Sequence, residues 1–92
     1  MKVVATDTIS SVGELSSLKT KMFPNPVNSI LTVSSEDNIQ HINIYNILSV
    51  KVMDVTVNNN EAILDLSRFE PGMYLIEIIG KNEKSIKTFI KK

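Results

Sequence analysis

Apolar residues recur at every second position over most of this chain. Ile42 and Ile44 do so, as do Ala62, Leu64 and Leu66, and again Tyr74, Ile76 and Ile78. Successive side chains of a β-strand point to opposite faces, so such runs give each strand one dry and one wet side. A helix needs a period of 3.6 residues, and no useful length of the chain carries one. Turn-forming residues separate the runs: Glu36-Asp37-Asn38, Asn58-Asn59-Asn60, Pro71-Gly72 and Gly80 to Glu83. Asn and Asp bond to their own backbone and tolerate positive φ, and Gly adopts it freely.

The pattern predicts seven strands at roughly ten-residue spacing. They are Lys19 to Phe23, Ser29 to Ser35, Ile39 to Ile47, Val50 to Val57, Glu61 to Leu66, Met73 to Ile79 and Lys84 to Lys91. The expected fold is an all-β, seven-stranded antiparallel immunoglobulin-like β-sandwich. The expected core is Leu31, Val33, Ile42, Ile44, Val52, Leu64, Leu66, Tyr74, Ile76, Ile78 and Ile86. A change of phase between Val52 and Val55 points to a bulge at Asp54. In the last strand Ile86, Thr88 and Ile90 are expected inward, with Lys87 and Lys91 outward.

Ninety-two residues make one domain with a thin core and little room for a deep cleft. Residues 1–20 are rich in Ser and Thr and read as a linker or upstream segment, with the domain spanning residues 21–92. Ile9, Val12, Leu15 and Leu18 recur every three residues there, against the helix-weakening effect of Gly13 and the serines. No apolar run approaches the roughly 20 residues of a membrane-spanning helix, and Met1 to Thr8 is too polar for a signal peptide. An exported parent would carry its signal upstream.

Little in the chain suggests bond-making chemistry. Cysteine is absent, which removes disulfides and thiolate catalysis. His41 is the only histidine, too few ligands for a zinc site and without the partners of a hydrolase triad. Glu36 and Asp37 share a wet turn, where nothing would raise a carboxyl towards a catalytic pKa. No glycine-rich phosphate loop is present. Calcium at Asp37 and Asn38 or at Asn58 to Asn60 is an unneeded reading, since turn chemistry accounts for both. The expectation is a non-enzyme with no cofactor and no metal.

The net charge is zero but uneven. Residues 1–80 hold five basic and nine acidic side chains; residues 81–92 hold five lysines and Glu83. Lysines on a last strand protect an edge, or form a basic handle for a partner. Nucleic acid is an unsuitable partner, since this strand has no Arg and few aromatics.

Three signals punctuate the chain: Phe23-Pro24-Asn25-Pro26, Pro71-Gly72-Met73-Tyr74, and the closing Lys91-Lys92. Each has a structural explanation alone: fixed φ angles, a glycine turn, a core aromatic. Their order and spacing, with Ser29 to Val33, Ile44 to Ser49, Leu64 to Ser67 and Lys87 to Lys92 between and after them, resemble the C-terminal sorting domain (type A) of the Bacteroidetes type IX, or Por, secretion system. The resemblance covers about residues 21–92. Phe23 stands where the family more often has Tyr, and Ser49 where it usually has Gly; a positive φ there would strain Ser by on the order of 1 kcal/mol.

The resemblance implies a sorting signal that takes an exported cargo through the outer-membrane translocon to the cell surface or the extracellular space, after transit through the periplasm. It implies the translocon, outer-membrane shuttle and sortase-like proteins, and an upstream cargo domain as partners, with removal of the domain by a cut within about residues 5–20. The residues expected to carry recognition are Pro24, Asn25, Pro26, Gly72, Tyr74, Lys87, Lys91 and Lys92. An open edge strand also predicts weak dimerisation. The other readings are an Ig-like adhesion or carbohydrate-binding module, poorly served by five aromatics of which several must be core, and a passive spacer, which would continue beyond Lys92.

Overall fold

The computed structural model describes residues 19–92; the linker reading for residues 1–20 lies almost wholly outside them. These residues form five strands and no helix: β1 Thr20–Phe23, β2 Ile30–Tyr45, β3 Lys51–Asp65, β4 Gly72–Gly80 and β5 Lys84–Lys91. They make one antiparallel sheet in the order β1-β2-β4-β5, with β3 on the other side of β2. The sheet curls so that β1 and the segment after it approach β5, while the outer edge of β3 stays open. Thr20 Oγ1 on β1 donates to Ser85 Oγ on β5 at 3.3 Å, and Val27 bridges to Lys91 in parallel.

Five strands replace the expected seven because two predicted turns do not turn. Ser34 pairs with Glu61 and Ile39 with Asn59, so residues 35–38 lie opposite Asn60 alone. The surplus bulges out of β2 while the β2–β3 ladder continues on both sides. The polar residues read as turn formers hold the bulge instead. Asn60 Nδ2 donates to Glu36 O at 3.3 Å, and the Asp37 amide donates to Ser35 Oγ at 3.2 Å. Asn58 takes φ 54°, the left-handed angle that Asn tolerates. The local turn chemistry holds but its consequence differs: a bulge in a long hairpin uses the same residues as a turn.

The bulge also moves the phase break. In β3, Met53, Val55 and Val57 pack inward, then Ala62 and Leu64. The switch lies at Asn58 to Asn60, not at Asp54, which pairs regularly with Asn43. Val52 therefore points outward and is 40% exposed, contrary to its expected place in the core.

The core comprises Val27, Leu31, Val33, Ile39, Ile42, Ile44, Ala62, Leu64, Leu66, Tyr74, Ile76, Ile78 and Phe89. Phe69, Tyr74 and Phe89 form a run of rings with centroids 5.0 and 5.5 Å apart, the second pair stacked at 17°. The Tyr74 hydroxyl donates to Glu70 O at 2.6 Å, so this buried phenol keeps a partner while anchoring the entry to β4.

β5 runs in the opposite phase to the one expected. Ser85, Phe89 and Lys91 face inward; Thr88 and Ile90 are exposed and Ile86 is only half-buried. One register places Phe89 against Tyr74; the other would bury two isoleucines and a threonine but leave that ring in water. A slip of one residue flips every side chain, so the choice is all or none.

The β2–β3 connection is a tight loop organised by Asn46. Its Oδ1 accepts from the amides of Leu48 and Val50 at 2.9 and 3.1 Å, and its carbonyl accepts from Ser49 N at 2.9 Å. Ser49 sits at φ 63°. This is the position at which three-residue hairpin loops favour glycine. Ser49→Gly is expected to raise stability by up to about 1 kcal/mol, offset in part by glycine's larger unfolded-state entropy. A thermal melt checks this; a lower midpoint in the variant would contradict it.

Candidate functional site

Three distant stretches converge at one end of the domain. β1 ends at Phe23, and Pro24-Asn25-Pro26 then carries the chain out of the β1–β2 ladder, as residues without a ladder donor do. Both X-Pro bonds in this corner are cis. The corner delivers Val27 alongside the end of β5. Val27 N donates to Ile90 O at 2.7 Å, and Lys92 N donates to Val27 O at 2.8 Å. The Asn25 side chain reaches across as well, its Oδ1 accepting from Ile90 N at 3.1 Å over 65 positions of sequence.

The turn before β4 meets the same place. Gly72 opens β4 and pairs with Lys91. Its φ is 150°, and a Cβ there would meet nothing within 4 Å. The backbone angle, not crowding, calls for glycine.

The predicted recognition residues thus divide. Pro24, Asn25, Pro26, Gly72, Lys91 and Lys92 are brought together. Tyr74 pairs with Phe89 one step further in and is buried, and Lys87 lies higher on β5, opposite Ile76. Lys91 does not face outward as expected. It is 7% exposed, with its alkyl stem packed inside and its Nζ donating to Lys92 O at 2.9 Å. A lysine stem buries well when its amine keeps a partner. Lys92 is exposed.

Val27 and Ile90 were missed as parts of this end. Val27 follows a double-proline corner, where a strand pairing is hard to foresee, and Ile90 carries the phase error of β5. The outer surface nearby is apolar. Ile90 and Met73 are cross-strand partners and are 40% and 52% exposed. Tyr45, Ile47, Met73 and Leu75 line a shallow groove of about 490 Å³ beside them.

Away from this end the outer face of β2, β3 and β4 carries polar clusters beside the exposed Val52 and Ile63. Asn43 Nδ2 donates to Glu77 Oε1 at 3.1 Å, Lys84 Nζ to Oε2 at 3.1 Å, and the Tyr45 hydroxyl to Oε1 at 3.4 Å. The Asn43 amide first, and then Lys84, hold the Glu77 carboxyl below its ordinary value of 4.5 against the opposing effect of partial burial. A carboxyl lowered on folding stabilises the fold above its unfolded pKa. It loses that contribution as the pH falls through its lower folded pKa. Acid melts should therefore show a loss of stability beginning below about pH 4.5, and Glu77→Gln should flatten that limb. An unchanged acid limb in the variant would assign the loss elsewhere.

His41 Nε2 contacts Asp54 Oδ1 on the same face, and Lys51 Nζ donates to Asp54 Oδ2 at 3.2 Å. Lys51 first, then His41, lowers the Asp54 pKa. This exposed cluster joins one acid to two basic side chains. Among the described residues no group of three or more His, Cys, Asp or Glu side chains is arranged to hold a metal ion.

The family model for the secretion system C-terminal sorting domain matches residues 21–92, from β1 through the Pro-Asn-Pro corner to the last lysine. The chain belongs to this family. Its function is that of a type IX secretion C-terminal sorting signal, a domain that interacts with the type IX machinery and a cargo domain and directs export across the outer membrane to the cell surface or the extracellular space. No curated protein matches the chain.

Proposed function

We propose that the machinery reads the folded domain at the end where the corner, Gly72 and the close of β5 meet. The observation that carries this reading is the convergence of Asn25 and Val27 on Ile90 and Lys92. Residues that define the family's beginning and end by sequence lie against one another in space. Lys92 supplies exposed charge there, and Ile90 with Met73 supplies exposed apolar surface, the usual composition of a protein contact. The domain makes and breaks no bonds of its own. The cargo passes through the periplasm, and outer-membrane shuttle and sortase-like proteins act on it; a cut within residues 5–20 frees the cargo from the domain. We read the curled sheet as an immunoglobulin-like unit in which β2 and β3 each run through two of the seven strands expected from the sequence. β3 pairs only with β2, so its outer edge supports weak self-association at high concentration.

Lys92→Ala tests the contact. Exposed lysines contribute within about 0.5 kcal/mol to folding, so the variant should melt like the parent while a signal peptide–reporter fusion is exported less. Lys91→Ala is different, because it removes a buried stem and should lower the melting temperature. Normal export of a stable Lys92→Ala fusion would remove Lys92 from the contact. Mass spectrometry of the exported reporter tests the cut; a reporter that keeps the whole domain would contradict it.

A further inference from the structure

We infer that Asn25 and Val27 are positioning residues for the last strand: the Pro-Asn-Pro corner serves export by holding Ile90 to Lys92 in place, and it is the held strand end that the machinery reads. The inference rests on the reading of this end as the recognised one.

The geometry is specific. In the antiparallel β4–β5 ladder Gly72 pairs with Lys91 and Met73 with Ile90, so the end of β5 has a neighbour on one side only. On its other side the N–H and C=O of Ile90 and the N–H of Lys92 face away from β4. The corner takes all three: Asn25 Oδ1 accepts from Ile90 N, Val27 N donates to Ile90 O, and Val27 O accepts from Lys92 N. Val27 is fully buried and thereby fixed to the core, whereas Asn25 is exposed and its carbonyl oxygen is spent on this one amide. A strand end with one neighbour frays; one held on both sides does not. Because the two partners are 65 positions apart, the clamp exists only once the whole domain has folded. The strand end is then in place only in a folded domain, and a partner that requires it selects folded cargo.

The exposed Phe23 side chain makes the same argument from the other side. It ends β1 directly before the corner, is 50% exposed, and makes none of the clamp's hydrogen bonds. A partner that read the corner directly would use it. A partner that reads the held strand would not.

The test compares Asn25→Ala, Asn25→Asp and Phe23→Ala. Each is measured as the 92-residue chain by amide hydrogen exchange, and as a signal peptide–reporter fusion in a type IX-competent bacterium. Asn25→Ala should speed exchange at Ile90 and Lys92 roughly three- to tenfold, the effect of one lost hydrogen bond, with Ile76 and Ile78 unchanged. Its export should fall several-fold. Asn25→Asp keeps the acceptor and should restore both readouts, and Phe23→Ala should leave both unchanged. Export lost in Asn25→Ala with Ile90 exchange unaltered, or lost in Phe23→Ala, would show that the corner itself is read and overturn the inference. Faster Ile90 exchange with normal export would overturn it equally. If Asn25→Ala loosens Ile76 and Ile78 as well, Asn25→Asp and Phe23→Ala decide alone: export lost in either, with the strand end still protected, overturns the inference. A parent fusion that is not exported would instead count against the sorting reading, and the exchange measurements would stand apart from it.

Discussion

Phe89→Ala is expected to destabilise the domain by about 3–5 kcal/mol, while Ile86→Ala in the same strand costs well under half of that. Phe89 is 1% exposed and stacks on Tyr74, which in turn packs on Phe69. Truncating it removes the most deeply buried ring of this group and leaves a cavity that the sheet cannot close without breaking the β4–β5 ladder. Ile86 is half-buried on the outer surface, where its removal leaves no cavity. Small domains are stable by about 5–15 kcal/mol, so the first change consumes much of the total and the second little. Chemical denaturation of both variants checks the phase of β5 directly. The opposite order of effects would mean that the strand sits one residue out of the register described.

Removing residues 84–92 is expected to abolish cooperative folding. The deletion takes Ser85, Phe89 and Lys91 out of the core, bares one whole edge of β4, and leaves Val27 and Asn25 with nothing to hold. The remaining β1 to β4 lose the strand that closes the sheet, and a thin core has no reserve to replace it. The truncated chain should lose its unfolding transition by circular dichroism and the spread of its amide resonances. A truncated chain that kept both would show that β5 is an appendage to the fold.

Within the expected strands, residues 39–45, 61–65 and 73–79 are strand as read, because their alternation is strong and their core faces are mainly aliphatic. Leu31, Val33, Ile42, Ile44, Leu64, Leu66, Tyr74, Ile76 and Ile78 all lie in the core as expected. What failed was long-range. Glu36 to Asn38 and Asn58 to Asn60 carry ordinary turn residues, and only their placement opposite one another across a ladder makes them a bulge. In Lys-Ser-Ile-Lys-Thr-Phe-Ile-Lys, one phase offers two isoleucines and the other a single phenylalanine. The deciding contact is with Tyr74, on another strand. The same error turned Lys91 outward and hid the contact between Ile90 and Asn25. The Ser49 strain, by contrast, was legible through the resemblance, which puts Gly at this position, and the hairpin loop does hold it in a left-handed conformation.

As an export signal, these residues should be portable. Residues 19–92, fused behind a signal peptide and a reporter with no other sorting information, should carry the reporter to the surface or the medium of a type IX-competent bacterium, and not of one lacking the translocon. A folded, intact fusion retained in the periplasm of the competent strain would show that these residues are not a sufficient export signal.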